Sequence, residues 1–256
     1  MNKTTCTLAA LGALLGASTM HAVSLDLNKP GLVHGTILDT QFLTSDGVTI
    51  SATNIGGGPD LAVIFDTEAR GTRDNDLEGP NGTDGSWSGG GNMPSNTRVG
   101  NAIIIQENNV GTGDGVADLP DDEGSRPAGS IVFDFGSNRI DSFGFDLIDV
   151  EGPDEYGRDS GFFASFYDPS DTLLHSIGFG SLIITDGADY GNNSLNRIAP
   201  ISFHGASFRK VEINFGGSAA ITNINYSRVP DSGSTALLLL SSALALLVAS
   251  RKRLQR

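Results

Sequence analysis

The chain has 256 residues with 16 Lys+Arg against 30 Asp+Glu, and residues 23–228 alone carry 11 basic and 29 acidic residues. A body this acidic repels nucleic-acid phosphates and anionic lipid headgroups, which excludes nucleic-acid binding, and attracts divalent cations. The single cysteine, Cys6, excludes a disulfide framework, so the fold must rest on a sizeable core, on bound ions, or on both.

The N-terminus reads as a leader. Lys3 lies in a short polar start, T-L-A-A-L-G-A-L-L-G-A follows, and M-H-A precedes a cut after Ala22. A basic start, a short apolar run and small residues before the cut make a secretory signal, expected as a helix over residues 1–22. Its apolar run is too short to span a bilayer comfortably.

From residue 23 to 228 the chain alternates short β-branched or aromatic runs with Gly, Asp, Asn and Pro. Strands are expected at 32–38, 48–54, 61–66, 102–106, 130–135, 140–150, 162–167, 172–178, 208–215 and 220–226. Several have period two: Val211, Ile213 and Phe215 share one face, as do Phe143, Phe145 and Leu147. That alternation buries one face of an antiparallel sheet, and no stretch keeps a 3.6-residue period over ten or more residues. The fold class is therefore all-β, an antiparallel β-sandwich of jelly-roll-like kind, in one domain.

Two long polar segments interrupt the strands, 67–100 and 107–128, and loops of this length are functional or disordered. The first contains D-N-D-L-E-G, in which Asp74, Asp76 and Glu78 alternate ahead of Gly79. The pattern resembles the start of an oxygen-donor Ca²⁺ loop, because alternating carboxylates before a turning glycine meet at one point. It departs from the full pattern at Gly85, where a bidentate Glu would stand. Asp84, or Asp114, Asp118, Asp121, Asp122 or Glu123 of the second loop, would finish the shell. The alternative is a solvated acidic loop. Trp87, the one tryptophan, is expected either to stack on a sugar ring from its polar loop or to fold back over the sheet edge.

Enzymatic signatures are weak. A third acidic cluster, with Asp154, Glu155 and Asp159 beside Arg158, reads as a polar loop. Strand-borne Asp134, Asp146 and Asp149 are the best-placed carboxylates for an exported carbohydrate-active hydrolase, but with so many acids some pair is always available. His34, His175 and His204 lie in no nucleophile motif, and G-G-G at 56–58 and 89–91 reads as turns.

The chain ends in V-P-D-S-G at 229–233, an apolar stretch at 234–250 and R-K-R-L-Q-R at 251–256. Seventeen residues is the lower limit for a spanning helix, and the basic cluster holds the C-terminus in the cytoplasm. This three-part tail resembles the PEP-CTERM class of bacterial sorting signals in its VPDSG variant, with Asp-Ser where the commonest form has Glu-Pro. The resemblance implies an exosortase, an integral-membrane cysteine transpeptidase, as partner. Val229, Pro230, Asp231, Ser232 and Gly233 would be its substrate residues, and the body would be a non-enzymatic surface or extracellular-matrix protein of the cell envelope. Polysaccharide, with Ca²⁺, is the ligand expected of such a body.

Overall fold

A computed structural model describes residues 21–80, 86–150 and 161–229. The leader up to Met20, Asp84, the Asp154–Asp159 cluster, Pro230–Gly233, the apolar stretch and the basic tail lie outside the described residues. Among the described residues no helix is long and apolar enough to cross a membrane.

Ala22–Arg228 forms one compact unit. Its strands are β1 (His21–Ser24), β2 (Ile37–Leu38), β3 (Thr49–Asn54), β4 (Ala62–Asp66), β5 (Asn101–Ile105), β6 (Gly129–Asp134), β7 (Ile140–Ile148), β8 (Phe163–Tyr167), β9 (Leu173–Gly178), β10 (Leu195–Ser202), β11 (Lys210–Phe215) and β12 (Ala220–Arg228). Two short helices join them, α1 (Leu43–Asp46) and α2 (Phe179–Asp186). All the sheet pairings with an assigned register are antiparallel. One sheet runs β10-β7-β12-β5-β4-β2, with β1 beside β12; the other runs β3-β6-β11-β8-β9. The all-β expectation holds.

Alternation explains the five-stranded sheet. In β11, Val211, Ile213 and Phe215 are buried while Lys210, Glu212 and Asn214 are only half so. Its inner face meets the other sheet in a core of aromatic rings. Phe133 of β6 lies 5.2 Å from Phe143 of β7, centroid to centroid, and Phe135 lies 4.8 Å from Tyr226 of β12. Tilted and edge-on ring pairs at such distances add to the burial itself.

β4 and β5 do not alternate. A-V-I-F and N-A-I-I-I are buried residue after residue, which in an antiparallel sheet requires cover on both faces. One side of these strands, with Ile64, Ile103 and Ile105, belongs to the inter-sheet core. The other, with Val63, Phe65, Ala102 and Ile104, belongs to a second cluster completed by Leu77, Trp87 and Val99 of the first long loop and Ala117 of the second. The polar loops are thus a third layer of the fold.

Three local departures have physical causes. The strand expected at 32–38 is cut to Ile37–Leu38 because Gly35 sits at φ +87°, where a Cβ would fall 2.2 Å from the Ala117 carbonyl oxygen; only glycine permits that approach of loop to strand. β10 escapes a period-two reading because Arg197 and Pro200 interrupt it and its register against β7 shifts between Ile198 and Ile201. At eight residues α2 is too short for a helical period to declare itself.

Candidate functional site

The long loops carry their acids inward. Asp74, Asp122 and Asp149 are buried and Asp76 is half-buried, although they come from the β4–β5 connection, the β5–β6 connection and the end of β7. The Asp122 backbone N–H donates to Asp74 Oδ2 at 3.3 Å. Ser218, in the turn between β11 and β12, places its Oγ 2.7 Å from Asp122 Oδ2 and 2.8 Å from Asp149 Oδ2. Asn193 closes the cluster: its backbone N–H donates to Asp149 Oδ1 and its Nδ2 to the Asp76 carbonyl. Asp149 and Asn193 both adopt positive φ, at 60° and 56°, which Asp and Asn tolerate best among residues with a side chain.

A serine hydroxyl has one hydrogen. Ser218 can therefore donate to only one of the two carboxyl groups it touches, and the other contact requires a carboxyl that carries a proton. Burial first, then the Asp122 and Asp76 carboxylates, pushes Asp74 up to about 12. Burial, opposed by hydrogen bonds from its neighbours, leaves Asp122 at about 6. Burial and the charge of Asp76 raise Asp149 to about 8. The cluster holds shared protons near neutral pH.

Of the three residues expected to form a Ca²⁺ set, Asp74 and Asp76 lie in this cluster and Glu78 turns elsewhere. The Glu78 carboxylate accepts from the Thr72 N–H at 2.6 Å and from the Thr72 hydroxyl at 2.8 Å, closing its own loop. Among the described residues no three His, Cys, Asp or Glu side chains are disposed to hold a metal ion. Of the second-loop acids, Asp122 joins Asp74. Asp114 accepts from Val116 N–H, Asp121 pairs with Arg73 at 3.2 Å, and Glu123 accepts from Asn54 Nδ2 at 2.7 Å. Sequence spacing could not reveal Asp149, Asn193 or Ser218, which the sheet alone brings to the loop.

Trp87 takes the second of the two places expected of it, folded back over the sheet. It is 3% exposed, packs in the outer cluster and donates from Nε1 to the Thr97 carbonyl at 2.8 Å. Its ring lies under the loop and offers no open face to a sugar. The four side chains of β4 and β5 in that cluster, Val63, Phe65, Ala102 and Ile104, supply the physical reason, since a large ring gains more by covering them than by facing water.

The strand-borne acids are tied down as well. Asp146 accepts both arms of the Arg197 guanidinium at 3.0 Å, and Asp134 pairs with Arg209 at 3.3 Å. An open polar groove of about 790 Å³ lies elsewhere, lined by His34, Asp66, Glu68, Arg98 and Asn101 among others. There His34 Nδ1 accepts from the Asp66 N–H at 3.0 Å, and its ring stands edge-on to Phe65. Burial lowers the His34 pKa, partly offset by Asp66 and Glu78, so the ring is neutral at pH 7. His175 and His204 are exposed, away from any of these groups.

β12 ends at Arg228, and Val229 follows directly. The family model for the VPDSG-CTERM motif matches residues 228–253. The tail is a VPDSG-CTERM motif. It is consistent with a sorting signal of the PEP-CTERM type read by an exosortase, and such a signal suggests an exported, exosortase-processed surface protein. No curated protein and no solved structure matches the chain.

Proposed function

We propose that this chain is a non-enzymatic exported protein of the cell surface or extracellular matrix, held through 234–250 until an exosortase-type transpeptidase acts at Val229–Gly233. The observation that carries the reading is the VPDSG-CTERM motif at 228–253, set directly behind the last strand of the compact body. Proline has no N–H with which to continue a strand ladder, so the motif begins where β12 must end. The test is deletion of residues 229–256. The reading predicts release of the body into the medium; unchanged retention in the envelope would contradict it.

Polysaccharide remains the proposed ligand, with the polar groove beside His34 rather than Trp87 as its seat. The groove offers carboxylate, guanidinium and amide groups and little apolar floor, as a hydroxyl-rich chain requires. A glycan-binding screen of the full chain and of an Asp66→Asn, Arg98→Ala variant checks it, and equal binding by both would remove the groove from the account. Ca²⁺ enters this reading only in competition with the proton on Asp74, beside Asp76, with backbone and water oxygens completing the shell. Added Ca²⁺ should then raise the melting temperature more at alkaline than at acidic pH, and an unchanged transition sinks that part.

A further inference from the structure

Each edge of a β-sheet presents unpaired N–H and C=O groups to other chains, and folded proteins block such edges with charge, proline, bulges or covering loops. Of the four strands that end the two sheet orders, three are blocked. Along β10, the N–H groups of Leu195, Arg197 and Ala199 are taken by the Gly90 carbonyl, the Asn92 side chain and the Asp186 carboxylate. β2 is only two residues long, and Ile37 N–H donates to the Gly115 carbonyl. On β3, Ile50 N–H donates to the Asp39 carbonyl and Asn54 N–H to the Asp60 carboxylate.

β9 is the exception. It pairs with β8 on one side, and no described residue bonds its other side. The phase of its backbone follows from the Phe179 N–H, which donates to the Phe162 carbonyl. Opposed residues in an antiparallel pair alternate between bonded and non-bonded. His175 and Ile177, in register with Phe166 and Ala164, therefore turn their backbone groups to β8, and Ser176 turns its own outward. The strand and the helix after it are exposed and apolar: Leu173 is 52% and Ile184 87% exposed, with Leu174 and Ile183 also on the surface.

The sequence around this edge is as unusual as its geometry. Residues 172–185, T-L-L-H-S-I-G-F-G-S-L-I-I-T, contain no Asp, Glu, Lys or Arg, in a body with 29 acidic residues. Two copies of so acidic a chain repel one another over most orientations. At β9 they can approach with neutral side chains opposed, and a strand pairing antiparallel with itself is two-fold symmetric, as a closed dimer requires. We propose that β9 is the edge through which two copies of this chain join their five-stranded sheets, with the outward backbone groups of Ser176 at the centre of the contact.

The test is site-specific crosslinking in the full chain with Cys6→Ser as background. His175→Cys is read with a short bis-maleimide, because in a pairing centred on Ser176 the two copies of position 175 are diagonal neighbours about 7–8 Å apart. The proposal predicts a crosslinked dimer for His175→Cys and none for Ser51→Cys, an exposed position on the blocked edge strand β3. Adding Ser176→Pro removes an outward N–H that the fold does not use, so it should abolish the dimer while leaving the thermal transition unchanged. The proposal is overturned if His175→Cys yields only monomer, if it crosslinks to another protein, if Ser51→Cys crosslinks equally, or if the dimer survives Ser176→Pro.

Discussion

The two faces of the seven-stranded sheet are buried by different means. Its inner face meets the second sheet through Phe143, Phe145, Leu147, Ile221 and Tyr226, a contiguous hydrocarbon core. Its outer face, over β4 and β5, meets a smaller apolar patch roofed by Trp87 and bordered by buried Asp74, Asp122 and Asp149. The inner core depends on shape and hydrophobic area. The outer layer depends also on protonation, and the difference makes one layer indifferent to pH and the other sensitive to it.

Substitutions can separate the layers. Phe143→Ala should cost about 4 kcal/mol of unfolding free energy, as loss of a fully buried ring does, with the same loss at acidic and alkaline pH in chemical denaturation. Trp87→Ala should cost about 3 kcal/mol and should loosen residues 86–97 selectively in hydrogen exchange. A loss confined to binding, with stability intact, would return Trp87 to the surface role expected from its composition.

The next effect is in pH. The folded-state pKa values of Asp122 and Asp149, about 6 and about 8, lie above the ordinary carboxylate value. A carboxyl raised in the folded state stabilises fully below its unfolded pKa, and that contribution is lost as pH rises through the folded value. Stability should therefore fall from about pH 4, as the unfolded-state carboxyls ionise, to about pH 8, with a slope approaching about 1.4 kcal/mol per pH unit for each carboxyl still protonated in the folded state. Asp149→Asn should flatten that decline in urea titrations. A wild-type profile already flat across this range would remove the distinction between the layers. The smallest effect belongs to Glu78→Gln, which weakens two bonds to Thr72 by about 1 kcal/mol in chemical denaturation.

Much of the inner layer is legible in sequence because alternation with period two is a local signal. Val211, Ile213 and Phe215 declare a buried face in adjacent residues. The outer layer is not local. Asp149 reads as one strand-end acid among 29, and nothing near it in sequence marks its approach to Asp74, Asp122 and Ser218. Trp87 is equally silent, since its loop is polar and the strands it covers are distant in the chain. The uninterrupted runs A-V-I-F and A-I-I-I do carry the signal that both faces of the sheet are covered. The alternation of Asp74, Asp76 and Glu78 is visible in sequence, whereas the hold of Thr72 on the Glu78 carboxylate is not.

The central claim is that the sandwich is delivered outside and its tail processed, and the mass of the C-terminal peptide from the surface-exposed protein tests it most directly. The account predicts a terminus at or near Val229–Gly233, without residues 234–256. Recovery of the intact C-terminus, ending in Arg256, from the mature surface form would contradict it.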